Sequence, residues 1–199
     1  MTIFGYETIG ASLEAISEDS DEHISASLFK SGVAGTLDNI KVALRCASGT
    51  RTADILVGMW KHSDLSLVSS SDIENITLTT TPTYYTFTSV SGDPVLASTD
   101  YLLGVEADYI DQKIYVSYDT GDTDQRHKDD HTWTGSLPNP FVVGLHGTIK
   151  YSIYATYTPT GGAGGEAVGS FQGLARDLTL TLPTPFSKRF PKFKPRILI

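Results

Sequence analysis

The sequence predicts an all-β fold, an antiparallel β-sandwich, and three features carry that prediction. Apolar side chains alternate with a period of two along most of residues 22–157, no segment holds a convincing helical period, and turn-forming clusters interrupt the alternation at roughly 8–15-residue intervals. The first clear run sets Ile40, Val42, Leu44 and Cys46 against Lys41, Ala43 and Arg45. Ile55, Val57 and Met59 follow, then Leu65 and Leu67, then Ile76 and Leu78, then Tyr85 and Phe87 among threonines. Runs at 101–107, 114–118 and 149–157 complete the set. Turn chemistry separates them at residues 47–49, 91–94, 119–122 and 138–140, where Gly, Asp, Asn, Ser and Pro gather. Strands this close together, with no helices between them, pair antiparallel, because a parallel crossover needs a dozen or more residues. Two such sheets bury one side of each strand by facing each other. A jelly roll is the preferred winding and an immunoglobulin-like one the second. The stretch Ser12–Glu22, rich in Glu14, Glu18, Asp19, Asp21 and Glu22, reads as a short helical turn or a loop.

At 199 residues the chain has room for one domain and an appendage. A hydrophobic content of 40% and a mean hydropathy of −0.10 are those of an ordinary water-facing domain with its own core. One cysteine, Cys46, excludes an internal disulfide framework and any C-x-x-C metal or redox motif. No run of 18 apolar residues is present, so no membrane-spanning helix is expected. The first residues lack the basic start and apolar stretch of a secretory signal, so export by that route is not expected.

Charge divides the chain. Residues 1–159 carry 9 basic and 21 acidic side chains, a balance of −12, whereas residues 160–199 carry 6 and 2, a balance of +4. The sequence therefore reads as a sandwich body over 1–159, a Gly-rich linker over 160–172 and an arm over 173–199. In the arm, Leu178, Leu180 and Leu182 alternate as in a strand, and Phe186, Phe190 and Phe193 follow among prolines and the basic Arg189 and Arg196. The prolines forbid helix and favour an extended course. So many large apolar groups are badly placed in water, and a basic segment on an acidic body suits docking on an acidic protein surface. The expectation is that a neighbouring subunit shapes the arm, the strand adding to a sheet edge and the aromatics filling a groove. The duller alternative is that the arm folds back on its own body. An acidic body repels phosphates, so nucleic acid is not an expected partner.

Catalytic chemistry is not visible. The acids of the body supply no spacing that selects a glycosidase pair. Asp119, Asp122 and Asp124 offer hard oxygen ligands in one turn and are the calcium candidate, though their spacing is not that of an EF-hand. His23, His62, His127, His131 and His146 read as solvated loop residues, because residues 126–131 look like a charged loop and not a metal-binding helix. No Gly-x-Ser-x-Gly elbow occurs, and Cys46 sits at an inward position where thiols are inert. Asn75-Ile-Thr is a formal glycosylation acceptor, read as incidental. Of the two tryptophans, Trp60 adjoins Met59, so that one of the pair faces the core and the other outward. Trp133, beside a turn, is the more exposed and the candidate for stacking on a sugar ring. No cofactor is expected.

The opening at residues 4–10, the aromatic-threonine run at 83–88, the strand at 101–105, the segment Trp133–Phe141 and the closing strand 150–157 together resemble a β-sandwich module. That module is similar to carbohydrate-binding jelly rolls and recurs in virion proteins of tailed viruses and in microbial surface proteins. The resemblance covers about residues 3–158 and implies a jelly roll with an adhesive or structural role and no catalytic residues. The expectation that follows is a virion structural protein (capsid decoration, tail or fibre), assembled in the host cytoplasm. Its partners would be copies of itself or other virion proteins, with no membrane involved. The alternative is a sugar-binding module of a cell-surface or secreted protein.

Overall fold

The computed structural model describes residues 1–18, 21–108 and 111–160. The linker beyond residue 160 and the whole arm, including Leu178, Leu180, Leu182, Phe186, Arg189, Phe190, Phe193 and Arg196, lie outside the described residues.

In chain order the strands are β1 (Thr2–Gly5), β2 (Ser12–Glu18), β3 (Asp21–Glu22), β4 (Ile24–Lys30), β5 (Gly35–Cys46), β6 (Thr50–Lys61), β7 (Leu67–Ser70) and β8 (Glu74–Thr79). They continue with β9 (Thr83–Phe87), β10 (Pro94–Val95), β11 (Asp100–Ala107), β12 (Ile114–Thr120), β13 (Arg126–Asp129), β14 (Leu145–Gly147), β15 (Ile149–Tyr151) and β16 (Ile153–Pro159). One sheet runs β1-β16-β5-β12-β2-β3, with β9 and β10 also on β5 and β15 on β12. The other runs β14-β13-β4-β11-β6-β7, with β8 also on β6. Every pairing is antiparallel. The long strands cross between sheets at nearly every step (β4, β5, β6, then β11, β12, β13, β16), which makes an antiparallel β-sandwich.

Alternation decides what each sheet buries. In β5 the residues Ile40, Val42, Leu44 and Cys46 point inward, and they meet Ile55, Val57 and Met59 of β6 and Tyr101, Leu103 and Val105 of β11 in the inter-sheet core. Tyr151 of this core donates its hydroxyl to Glu14 at 2.8 Å, and Arg126 of the facing sheet pairs with the same carboxylate at 3.4 Å. Cys46 is fully buried and donates weakly to backbone oxygens, as its inward register implies.

Three readings of the sequence change. Ser12–Glu18 is neither a helical turn nor a loop but a strand between β12 and the two-residue β3, with Ile16 buried in the core. Its acids hid the alternation because only one large apolar residue marks the inward face. Residues 126–129 are a strand and not a charged loop: β13 lies between β4 and β14, and it buries His127 and Asp129. Backbone pairing to β4 overrides their polar composition, since ladder hydrogen bonds ignore side-chain type. Trp60 does point away from Met59, but it is fully buried. It belongs to a second core on the outer face of the β11 sheet, with Ile24, Ala26, Leu56, Leu102, Leu137 and Phe141.

That second core exists because residues 130–144 fold back across the sheet. Gly58 and Gly104 are cross-strand partners, and a Cβ on either would come within 3.0 Å of the Trp60 ring. The pair makes a flat floor on which the indole lies. The covering segment then bonds to it: Trp60 Nε1 donates to the Pro138 carbonyl at 2.9 Å, and the Phe141 ring meets the indole edge-on at 5.1 Å. Polar anchors finish the cover. His131 Nδ1 lies 2.7 Å from the fully buried Glu106, and the amide of Val142 donates to Asp129 at 2.9 Å.

Candidate functional site

Trp133, the residue chosen for sugar stacking, is half-buried and packs against the second core, so its ring serves the cover as much as the surface. Beside the cover is an open cavity of about 560 Å³ whose lining includes Leu56, Leu67, Ser71, Asp72, Ile73 and Leu137. Trp133 is not among its lining residues.

The calcium candidates are not brought together. Asp119 is engaged within the fold, accepting from the Tyr6 hydroxyl at 2.6 Å and the Ala11 amide at 3.0 Å, while Asp122 and Asp124 are exposed. Among the described residues no three His, Cys, Asp or Glu side chains are grouped as a metal would require.

Two of the five histidines differ from solvated loop residues, whereas His62 and His131 lie outside strands and His146 is exposed. His23 and His127 are buried. His127 stands between His62 and His146, ring centroids 5.3 and 4.7 Å away, both in edge-on contact. Burial first, then the two neighbouring rings, push the His127 pKa down to about 4, against a weaker opposing pull from Asp124. The folded state thus binds this proton less readily than the unfolded chain, whose His titrates near 6.5. The stabilisation is complete above pH ~6.5 and is lost as pH falls from there to ~4, at up to about 1.4 kcal/mol per pH unit. Urea unfolding at pH 7, 6, 5 and 4.5 is expected to show a smaller loss for His127→Phe than for the unaltered chain. Parallel pH profiles would contradict this.

The most developed surface lies on the outside of the β5 sheet. The outward alternates of β5 are Lys41, Ala43 and Arg45, and their cross-strand partners are Tyr154 for Lys41, Tyr84 for Ala43 and Tyr115 for Arg45. Because Ala43 is small, the Tyr84 and Tyr154 rings meet across it, centroids 5.2 Å apart at 70°, and Ala43 is fully buried although it points away from the core. Lys41 Nζ lies 5.8 Å from the Tyr154 centroid and Arg45 Cζ 5.7 Å from that of Tyr115. The row continues where the Tyr84 hydroxyl donates to the Tyr6 carbonyl at 3.1 Å, and Lys150 Nζ sits 4.1 Å above the Tyr6 ring. These rings and cations are each half-buried, held in place with a side still open. Burial, then Tyr154, push the Tyr84 phenol far above its ordinary range, so it stays a neutral hydroxyl. The Tyr6 hydroxyl, then the Ala11 amide, hold Asp119 below the usual carboxylate range, so it stays charged against Lys150.

This face escaped the sequence reading, which treated strand tyrosines as ordinary β residues. The signal was present all the same, since the outward alternates of β5, β9 and β16 include Lys41, Arg45, Tyr84 and Tyr154 in a strongly acidic body. Such an arrangement offers stacking faces, hydrogen-bond donors and cations on one surface.

No family model matches the chain, and no curated protein matches it.

Proposed function

We propose that the chain is a structural subunit of a virion, a capsid decoration, tail or fibre component, that joins its neighbours through residues 173–199. The supporting observation is a division of labour. The described body has two apolar cores of its own and carries a charge of −12, opposite to the +4 of the residues after it. A basic, aromatic segment is suited to an acidic neighbour, either another copy or another virion protein. In this reading the protein is not an enzyme and is assembled in the host cytoplasm. Deleting residues 173–199 is expected to leave the body's melting temperature within a few degrees and to abolish incorporation into particles. A truncated chain that still assembles would refute the proposal.

A second reading, a sugar-binding module, is favoured by the tyrosine face of the β5 sheet, where half-open rings and fixed hydroxyls offer both a stacking surface and hydrogen bonds.

A further inference from the structure

We propose that the tyrosine face of the β5 sheet binds an acidic polysaccharide, its rings stacking on the sugars and Lys41, Arg45 and Lys150 pairing with the carboxylate or sulfate groups. This rests on the sugar-binding reading and adds the charge of the ligand to it.

Charge complementarity carries the choice. The body holds only 9 basic residues against 21 acidic ones, yet three of the nine stand on this one face, each over a tyrosine ring. Asp119 stays charged beside Lys150 and offsets it in part, with its oxygens also accepting from Tyr6 and Ala11, so Lys41 and Arg45 carry most of the free positive charge of the face. One chain of contacts runs from Lys41 through Tyr154, Tyr84 and Tyr6 to Lys150, three tyrosines flanked by two cations. An extended polymer whose units present apolar ring faces and anionic substituents matches a row of rings with cations at its ends. Nucleic acid fits less well, since its dense phosphates would lie against the −12 of the surrounding body.

The test uses the full chain and four probes: polygalacturonate, chondroitin sulfate, dextran and oligo-dT. Binding to the two acidic polysaccharides and not to dextran or oligo-dT is expected, weakening on the order of tenfold between about 50 and 300 mM NaCl. Lys41→Gln with Lys150→Gln is expected to weaken that binding at least about tenfold with an unchanged melting temperature. Tyr84→Ala with Tyr154→Ala should remove it, and if that variant fails to fold, the lysine pair still decides. Equal binding to dextran, lost in the tyrosine variant, would overturn the acidic assignment and keep the sugar-binding reading. Oligo-dT bound as well as polygalacturonate would overturn the assignment as generic polyanion attraction. No binding to any polysaccharide would sink both.

Discussion

Trp60→Ala is expected to destabilise the body by about 3–5 kcal/mol, lowering its melting temperature on the order of 10 °C. Trp60 is the largest fully buried side chain among the described residues, and its removal leaves a cavity directly above the Gly58–Gly104 floor, where the glycines themselves have no side chain to fill it. The Pro138 carbonyl also loses its donor, and Phe141 loses the ring it meets edge-on. Because the lost contacts join the sheet to residues 130–144, the effect has a location. Limited proteolysis of the variant is expected to cut first within 130–144, while the inter-sheet core keeps its far-UV signature. Thermal unfolding followed by circular dichroism, with mass mapping of the first cuts, checks both parts. Loss below about 1 kcal/mol would show that the cover is not held by this indole.

Gly10→Ala is expected to cost more than about 3 kcal/mol, at a position whose burial alone would not flag it. A Cβ there would stand 2.2 Å from the Tyr118 carbonyl carbon and oxygen, which are backbone atoms of β12 and cannot rotate away. The Gly10 amide also donates to the buried Ser152 hydroxyl at 2.9 Å. Relieving the overlap would lift the β1–β2 connection from the sheet and strip Asp119 of its Ala11 donor. Gly49→Ala is the control: the left-handed backbone there (φ 63°) resists a side chain, but nothing lies within 4 Å, so a loss nearer 1 kcal/mol is expected. Equilibrium urea unfolding of the two variants, read as a difference in midpoint, decides between close approach and backbone conformation as the larger effect.

The architecture was legible wherever a strand has one wet and one dry face. Ile40, Val42, Leu44 and Cys46 announced β5, and Ile55, Val57 and Met59 announced β6, because burial on one side imposes a period of two. Where both faces are buried the pattern fails to say so. Trp60, Leu56 and Leu102 look like outward positions, and only the return of Leu137 and Phe141, some eighty residues after Trp60, makes that face a core. Such cover depends on tertiary contact that local composition does not encode. His127 and Asp129 misled for the same reason, their polar strand being held by backbone ladders to β4 and β14 and by the cover beside it. The tyrosine face was half legible. Its residues alternate correctly, but the meeting of Tyr84 and Tyr154 across Ala43 requires knowing that β9 and β16 flank β5.

The central claim is that this acidic sandwich is built into a larger assembly by the basic residues that follow it. Native mass spectrometry of the full chain beside a chain ending at residue 172 tests it most directly. Multiples of 21.5 kDa for the full chain and a single-copy mass for the shortened one are the expected result. A full chain that stays at 21.5 kDa across micromolar concentrations, or a shortened chain that forms the same multiples, would contradict it.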